Sequence, residues 1–328
     1  HEEIWSCTTC GACMEECPVL IGHVPMITDF RRHMVLDQGM PYAQSSEHLE
    51  HMQSNGNPWG MPKADRTKWI EESDIDIPFL SDKKEVDVLY WVGCAGSYDP
   101  RNQGVARDLV RIMTKAGIDF AVLGKEETCT GDSARRLGDE YLFETLAKEN
   151  IESLDRYKFN RVVTACPHCF HTIANEYKDF GGEYDVVHHS EFINDLIENN
   201  QISLNSQDFD KKVTYHDPCY LGRHNDIYDE PRSVIQALDS SDAGMVEMDK
   251  SKENSFCCGA GGGNMWYEID AGERINTERF NQAKETGAQT VATSCSFCMI
   301  MLDDAMKVTG NEGTMEVKDI AELVAESI

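Results

Sequence analysis

The spacing of hydrophobic residues changes several times along the chain, and each change predicts an element. Val24, Ile27, Phe30 and Met34 recur near one helical turn, so a helix is expected there. From Asp37 to about Asp82 the chain is polar and punctuated by Gly39, Pro41, Asn55-Gly56-Asn57-Pro58, Gly60, Pro62 and Pro78. That composition predicts an extended, largely irregular connector with short helices. Compact apolar runs then alternate with helical spacing. Strands are expected at Val86–Val92, Phe120–Leu123 and Arg161–Ala165, and helices at Gly104–Ala116 and Leu137–Leu154. The second half repeats the plan, with strands at Lys212–His216, Met245–Met248 and Thr290–Thr293 and helices at Pro231–Leu238 and Glu268–Thr286. Strands alternating with helices imply an α/β fold with parallel sheets.

Cysteines mark the repeat. Cys94, Cys129, Cys166 and Cys169 fall in the first unit, and Cys219, Cys257, Cys258, Cys295 and Cys298 in the second. Thirty-four residues lie between Cys94 and Cys129, and thirty-seven between Cys219 and Cys257. Each unit ends in a C-x-x-C after a strand, Cys166-Pro167-His168-Cys169 and Cys295-Ser296-Phe297-Cys298. The middle motifs align as Cys129-Thr130-Gly131 and Cys257-Cys258-Gly259. A duplicated domain accounts for all of this.

The thirteen cysteines fit metal better than disulfides. An odd count leaves one thiol over, and a chain of 328 residues has core enough without staples. Cys7-x-x-Cys10-x-x-Cys13-x-x-x-Cys17-Pro18 has the bacterial ferredoxin spacing for a [4Fe–4S] cluster. A structural zinc site needs four ligands and gains nothing from the third closely spaced cysteine. Either Cys17 closes the same cluster, or it reaches a neighbouring one whose other ligands lie upstream of His1. The second option is favoured, because the chain does not begin with methionine and reads as truncated at its start.

The net charge of −28 repels phosphate backbones, so no nucleic-acid partner is expected. An acidic surface suits a basic protein partner, or simply solubility. No apolar run approaches the roughly 20 residues that span a bilayer.

The duplicated unit resembles the cysteine-rich CCG domain of heterodisulfide reductase and its relatives: a lone cysteine, a Cys-Cys-Gly, then a C-x-x-C. The second copy matches fully, whereas the first has Thr130 in place of a cysteine. The segments WSCTTCGACMEECP, NPWGMPKADR, ACPHCFHTIANEY, HDPCYLGRHN and FCCGAGGGNMW extend the likeness, over nearly the whole chain, to iron–sulfur reductases similar to the D-type polypeptide of heterodisulfide reductase. The resemblance implies a small helical ferredoxin-like domain with connector (residues 1–82), a degenerate CCG domain (83–208) and a complete one (209–328). It implies a [4Fe–4S] cluster on the first run and a non-cubane [4Fe–4S] cluster on Cys219, Cys257, Cys258, Cys295 and Cys298. A further [4Fe–4S] cluster on Cys94, Cys129, Cys166 and Cys169 is an open option. It also implies electron-transfer flavoprotein as partner, a haem- and quinone-linked membrane module upstream or on a separate polypeptide, and a cytoplasmic position tethered at the membrane's inner face.

Three functions compete: an iron–sulfur electron relay, a disulfide reductase with Cys257 and Cys258 at its catalytic centre, and a structural metal-binding protein. The relay is preferred. Gly259, Gly261 and Gly262 read as a loop approaching a cluster closely, or as a plain turn; Asn264 spoils a dinucleotide fingerprint. His168, His171, His216 and His224, with the pair His188-His189 on a strand end, serve as cluster donors or as structural residues. Arg223 offsets cluster charge or pairs on the surface. Met26, Met34, Met40, Met52 and Met61 are expected to fill packing gaps.

Overall fold

The structure is a computed structural model that describes residues 2–205, 211–238, 244–267 and 272–328. Two four-stranded parallel sheets share one topology. In the first, β1 (Glu85–Trp91), β2 (Phe120–Val122), β3 (Lys158–Thr164) and β4 (Val186–His188) take the order β2-β1-β3-β4. In the second, β5 (Val213–Tyr215), β6 (Met245–Val246), β7 (Thr290–Thr293) and β8 (Glu316–Asp319) take the order β6-β5-β7-β8. The fold is therefore α/β with a repeated unit.

The helices join the two units. Asp99 caps helix Pro100–Lys115 by accepting from the Asn102 amide, and Pro100 occupies a position whose N–H is not needed. Its buried stripe of Val105, Leu109, Ile112 and Met113 follows the spacing read from the sequence. This helix packs on Ile320–Ala325 of the second unit, while His189–Glu198 of the first packs on Asp229–Leu238 of the second. The first long helix of each unit thus covers the last helix of the other. A single apolar core runs through both, from Val88, Tyr90 and Leu109 to Tyr215, Val291 and Leu302.

Several expectations shift. Helix His23–Arg32 buries Val24, Thr28 and Arg31 and leaves Phe30 exposed, because the docked face is built around the Arg31 guanidinium. The connector carries a ten-residue helix, Ser46–Asn55. The helix expected from Leu137 begins at Glu140, capped by Asp139. That expected over Glu268–Thr286 runs Ile275–Glu285, and residues 268–271 lie outside the described residues. Met34 and Met52 are buried, but Met26, Met40 and Met61 are exposed and fill no gap. Among the described residues no helix is long and apolar enough to cross a membrane.

Candidate metal centres

In an order of β2-β1-β3-β4 the chain turns opposite ways from β1, so the carboxyl ends of β1 and β3 flank a topological switch point, where parallel sheets place ligands. The register pairs Trp91 with Thr164 at that edge, so Cys94 and Cys166 leave adjacent strand ends. Cys94, Cys129, Cys166 and Cys169 line one enclosed cavity, closed by Pro58 and Trp59 of the connector and by Ser296 and Phe297 of the second unit. All four cysteines are buried. Arg66, also from the connector, reaches Cys94 Sγ at 3.7 Å and binds Glu127 at 2.5 Å. Glu127 in turn accepts from the amides of Val92 and Gly93 and so fixes the turn into Cys94. Hydrogen bonding from Cys169 brings the Cys166 thiol down to about 6 despite its burial.

The second set sits at the equivalent edge. Cys258 and Cys298 bring their Sγ atoms to 3.3 Å, and the Cys298 amide donates to Cys295 Sγ at 3.5 Å. Cys257 is half-buried and accepts from the Gly259 amide at 3.2 Å. Hydrogen bonds from Cys257 and Cys298 hold Cys258 toward thiolate. Cys219 and Cys10 both share hydrogen bonds with Cys257, which pushes their own thiols up. The first run therefore lies against the second-repeat set. Cys257 also lies 3.4 Å from the Thr8 hydroxyl.

That contact rests on a built interface. A Cβ on Gly261 would sit 2.2 Å from the Thr8 carbonyl oxygen, and one on Gly262 2.2 Å from that of Cys7. What these glycines admit is the backbone of the first cysteine loop. Arg31, wholly buried, donates to the carbonyls of Ile4, Trp5, Cys7, Arg136 and Gly262. Asn264 and Tyr267 also donate to Trp5 O. On the other side, His224 Nε2 donates to Thr9 O at 2.9 Å and Arg223 to Cys10 O at 3.4 Å. Arg223 also holds Glu253 O and Ser255 O. Cys17 stands apart, its Sγ accepting from the Ile21 amide beside exposed Val19 and Leu20.

The histidines divide. His168 binds Asp132 at 2.9 Å and stacks on Tyr220, with Phe297 beyond. Burial would lower its pKa, but Asp132 outweighs burial and raises it to about 9. Burial first, then the Arg279 charge, push His216 far below its ordinary value, so its ring is neutral. His188 and His189 form a buried chain to Asp319 that ties β4 to β8. His171 packs edge-on to Tyr220 and His224. Arg31, Arg66, Glu127 and Arg279 were not singled out from the sequence. A hint was available for Arg31, which continues the buried helical spacing of Val24 and Thr28.

All thirteen cysteines are free thiols. One group lines an enclosed pocket and the other gathers in a buried cluster, and soft sulfur donors so placed suit iron–sulfur binding. The residues present fit such a group.

Comparison with known proteins agrees. A cysteine-rich domain family, CCG, matches residues 88–174 and 213–303. The chain is 39% identical over its whole length to the probable iron–sulfur-binding oxidoreductase FadF of Bacillus subtilis, covering 47% of that protein. It is 41% identical over 98% of its length to the EtfAB:quinone oxidoreductase of Syntrophomonas wolfei, covering 46% of it. It is 32% identical over its whole length to the D polypeptide of the dihydromethanophenazine:CoB–CoM heterodisulfide reductase of Methanosarcina barkeri, covering 78% of that polypeptide. The chain thus spans about half the length of the first two relatives. With both repeats matched and the heterodisulfide reductase polypeptide aligned throughout, the chain belongs to the CCG cysteine-rich domain family of iron–sulfur proteins.

Proposed function

We propose that this chain is the iron–sulfur part of an oxidoreductase that relays electrons between a redox protein, electron-transfer flavoprotein, and a quinone-linked membrane module. The observation that carries the reading is the first cysteine loop seated on the second-repeat set, with the Thr8 hydroxyl 3.4 Å from Cys257 Sγ and the carbonyls of Thr9 and Cys10 held by His224 and Arg223. It supports reading residues 1–82 as a ferredoxin-like domain with connector that delivers its cysteine run to a complete CCG domain at 209–328. Cys7, Cys10 and Cys13 would hold one [4Fe–4S] cluster, and Cys219, Cys257, Cys258, Cys295 and Cys298 a non-cubane one. Cys94, Cys129, Cys166 and Cys169 of the degenerate domain (83–208) would hold a further cluster. These groups supply one-electron acceptance and release. The chain's own residues hold the sets side by side, bury most of the cysteines of the two repeats, and donate backbone N–H groups to Cys7, Cys257 and Cys295.

Cys17 would serve a second cluster; its Sγ accepts from the Ile21 amide beside exposed Val19 and Leu20, which supports that role. The same exposed face suits a protein held at the inner side of the membrane.

A second reading keeps one observation of its own. Cys257 is half-buried while Cys219, Cys258, Cys295 and Cys298 are buried, so it is the member of its set open to a small-molecule disulfide. On that reading Cys257 and Cys258 form the catalytic centre, with Gly259 at its edge. Anaerobic stopped-flow mixing with reduced flavoprotein separates the two. Rapid bleaching with no thiol-dependent paramagnetic state supports the relay, and a thiol-dependent signal without bleaching overturns it. Cys258→Ser should remove iron from the second set and leave the first-run cluster intact; loss of both would contradict the modular assignment.

A further inference from the structure

His216 follows β5 and lies three residues before Cys219. Its side chain is buried, at 1% exposure. Arg279 Nε donates to His216 Nδ1 at 2.9 Å, and the guanidinium is itself fixed by Lys250 O, Gln282 and Ser255. Arginine has no acceptor, so Nδ1 must be the accepting nitrogen and the neutral ring carries its proton on Nε2. That Nε2 is buried and has no hydrogen-bond partner among the described residues. A ring nitrogen of His216 and the Sγ atoms of Cys258 and Cys298 all lie within 4.8 Å of one another.

We propose that His216 is a positioning and tuning residue of the second-repeat site: a tautomer-locked N–H that donates to its sulfur and raises its reduction potential. The proposal rests on the reading that this set holds an iron–sulfur cluster. A hydrogen bond to cluster sulfur stabilises the more negative, reduced form. Direct ligation of iron by Nε2 would require the ring to lose its last proton while Arg279 still donates to Nδ1. The locked geometry therefore makes His216 a donor and not a sixth ligand. The repeat supplies independent support. The matching position, three residues before Cys94, is Trp91, a buried side chain whose Nε1 also lacks a partner among the described residues. Indole N–H can only donate. It belongs to the same buried cluster as Cys94, Cys129, Cys166 and Cys169.

The test uses the full chain purified anaerobically with its iron. Iron and sulfide are counted, and the second-set signal is titrated potentiometrically by electron paramagnetic resonance. His216→Phe should keep the parent's iron and sulfide but lower the reduced-to-oxidised ratio at fixed potential about tenfold, a shift of about 59 mV for one electron. His216→Gln, which restores an N–H, should recover at least half of that change. The first-run signal should not move. An unshifted potential in His216→Phe overturns the proposal. Should that variant fail to load iron, the unsubstituted protein still decides through pulsed resonance with 15N-histidine. Weak coupling supports a donor, and strong coupling of a directly bonded nitrogen overturns it. A parent whose iron content does not depend on Cys258 overturns the cluster reading itself, and shows this before any change at His216.

Discussion

Arg31 joins three parts of the chain with no carboxylate partner among the described residues, and its removal should loosen the first cysteine loop selectively. Its guanidinium lies 5.2 Å from the Trp5 ring centre and donates to five carbonyls. Trp5 O and Cys7 O keep a second donor in Asn264, and Gly262 O keeps Tyr267. Ile4 O and Arg136 O have no other side-chain donor among the described residues. An Arg31→Met change leaves the half-buried Ile4 O and the buried Arg136 O unmet, at about 1–3 kcal/mol each. The loop's opening free energy should therefore fall by about 4 kcal/mol, or roughly three orders of magnitude in opening equilibrium. Arg31→Lys should fall between, because an ammonium's compact donors cannot span acceptors in three segments. Hydrogen exchange of residues 4–10, measured anaerobically on the full chain, reads this directly. Protection within threefold of the parent in Arg31→Met would refute the reasoning.

Three further outcomes follow from the same interface and its neighbours. Gly261→Ala places a methyl 2.2 Å from the Thr8 carbonyl oxygen, so the loop must move away. Electron transfer between the first-run and second-set signals should slow at least tenfold, while Gly313→Ala, where nothing lies within 4 Å, should leave the rate unchanged. Burial first, then His171, lower the His224 pKa to about 4, so protonation opposes the folded loop. The unfolded chain takes up that proton near pH 6.5, so stability is present above this value and is lost as pH falls toward the folded pKa. Linkage predicts a loss of about 1.3 kcal/mol between pH 7.5 and 5.5, roughly tenfold in loop opening after correction for intrinsic exchange. A His224→Gln variant with the same slope would contradict this. Arg66→Met strands the buried Glu127 carboxylate, at about 3–5 kcal/mol. Denaturant unfolding of the first unit should show the loss, and Arg66→Met/Glu127→Gln should regain much of it.

The central strands were legible because Val88–Trp91 of β1, Val162 and Val163 of β3 and Val291 and Ala292 of β7 are apolar stretches that lead into cysteine turns. The edge strands β4 and β8 were not. Val186–His188 is three residues long, and Glu316–Asp319 alternates Glu316 and Lys318 with Val317, which resembles a polar loop as much as a strand. The cysteine sets were legible from spacing alone, since ligands must recur where strands end. Their partners were not. Arg31, Arg66 and Arg279 act on groups 231, 28 and 63 residues away, and no local pattern marks an arginine that will be buried. The glycine loop was expected to approach a cluster closely or to form a plain turn; what meets Gly261 and Gly262 in the structure is the backbone of Thr8 and Cys7, which no sequence pattern marks.

The roof over Cys94, Cys129, Cys166 and Cys169 has a consequence for how the protein is made. Pro58 and Trp59 come from the connector and Phe297 from the far unit, so this chamber is sealed only when separate stretches have come together. On the proposed assignment, a cluster for those four sulfurs would have to enter while the roof is still off. Maturation would then be ordered, with loading before final closure, and a chain that closed early would have to reopen its roof to be filled.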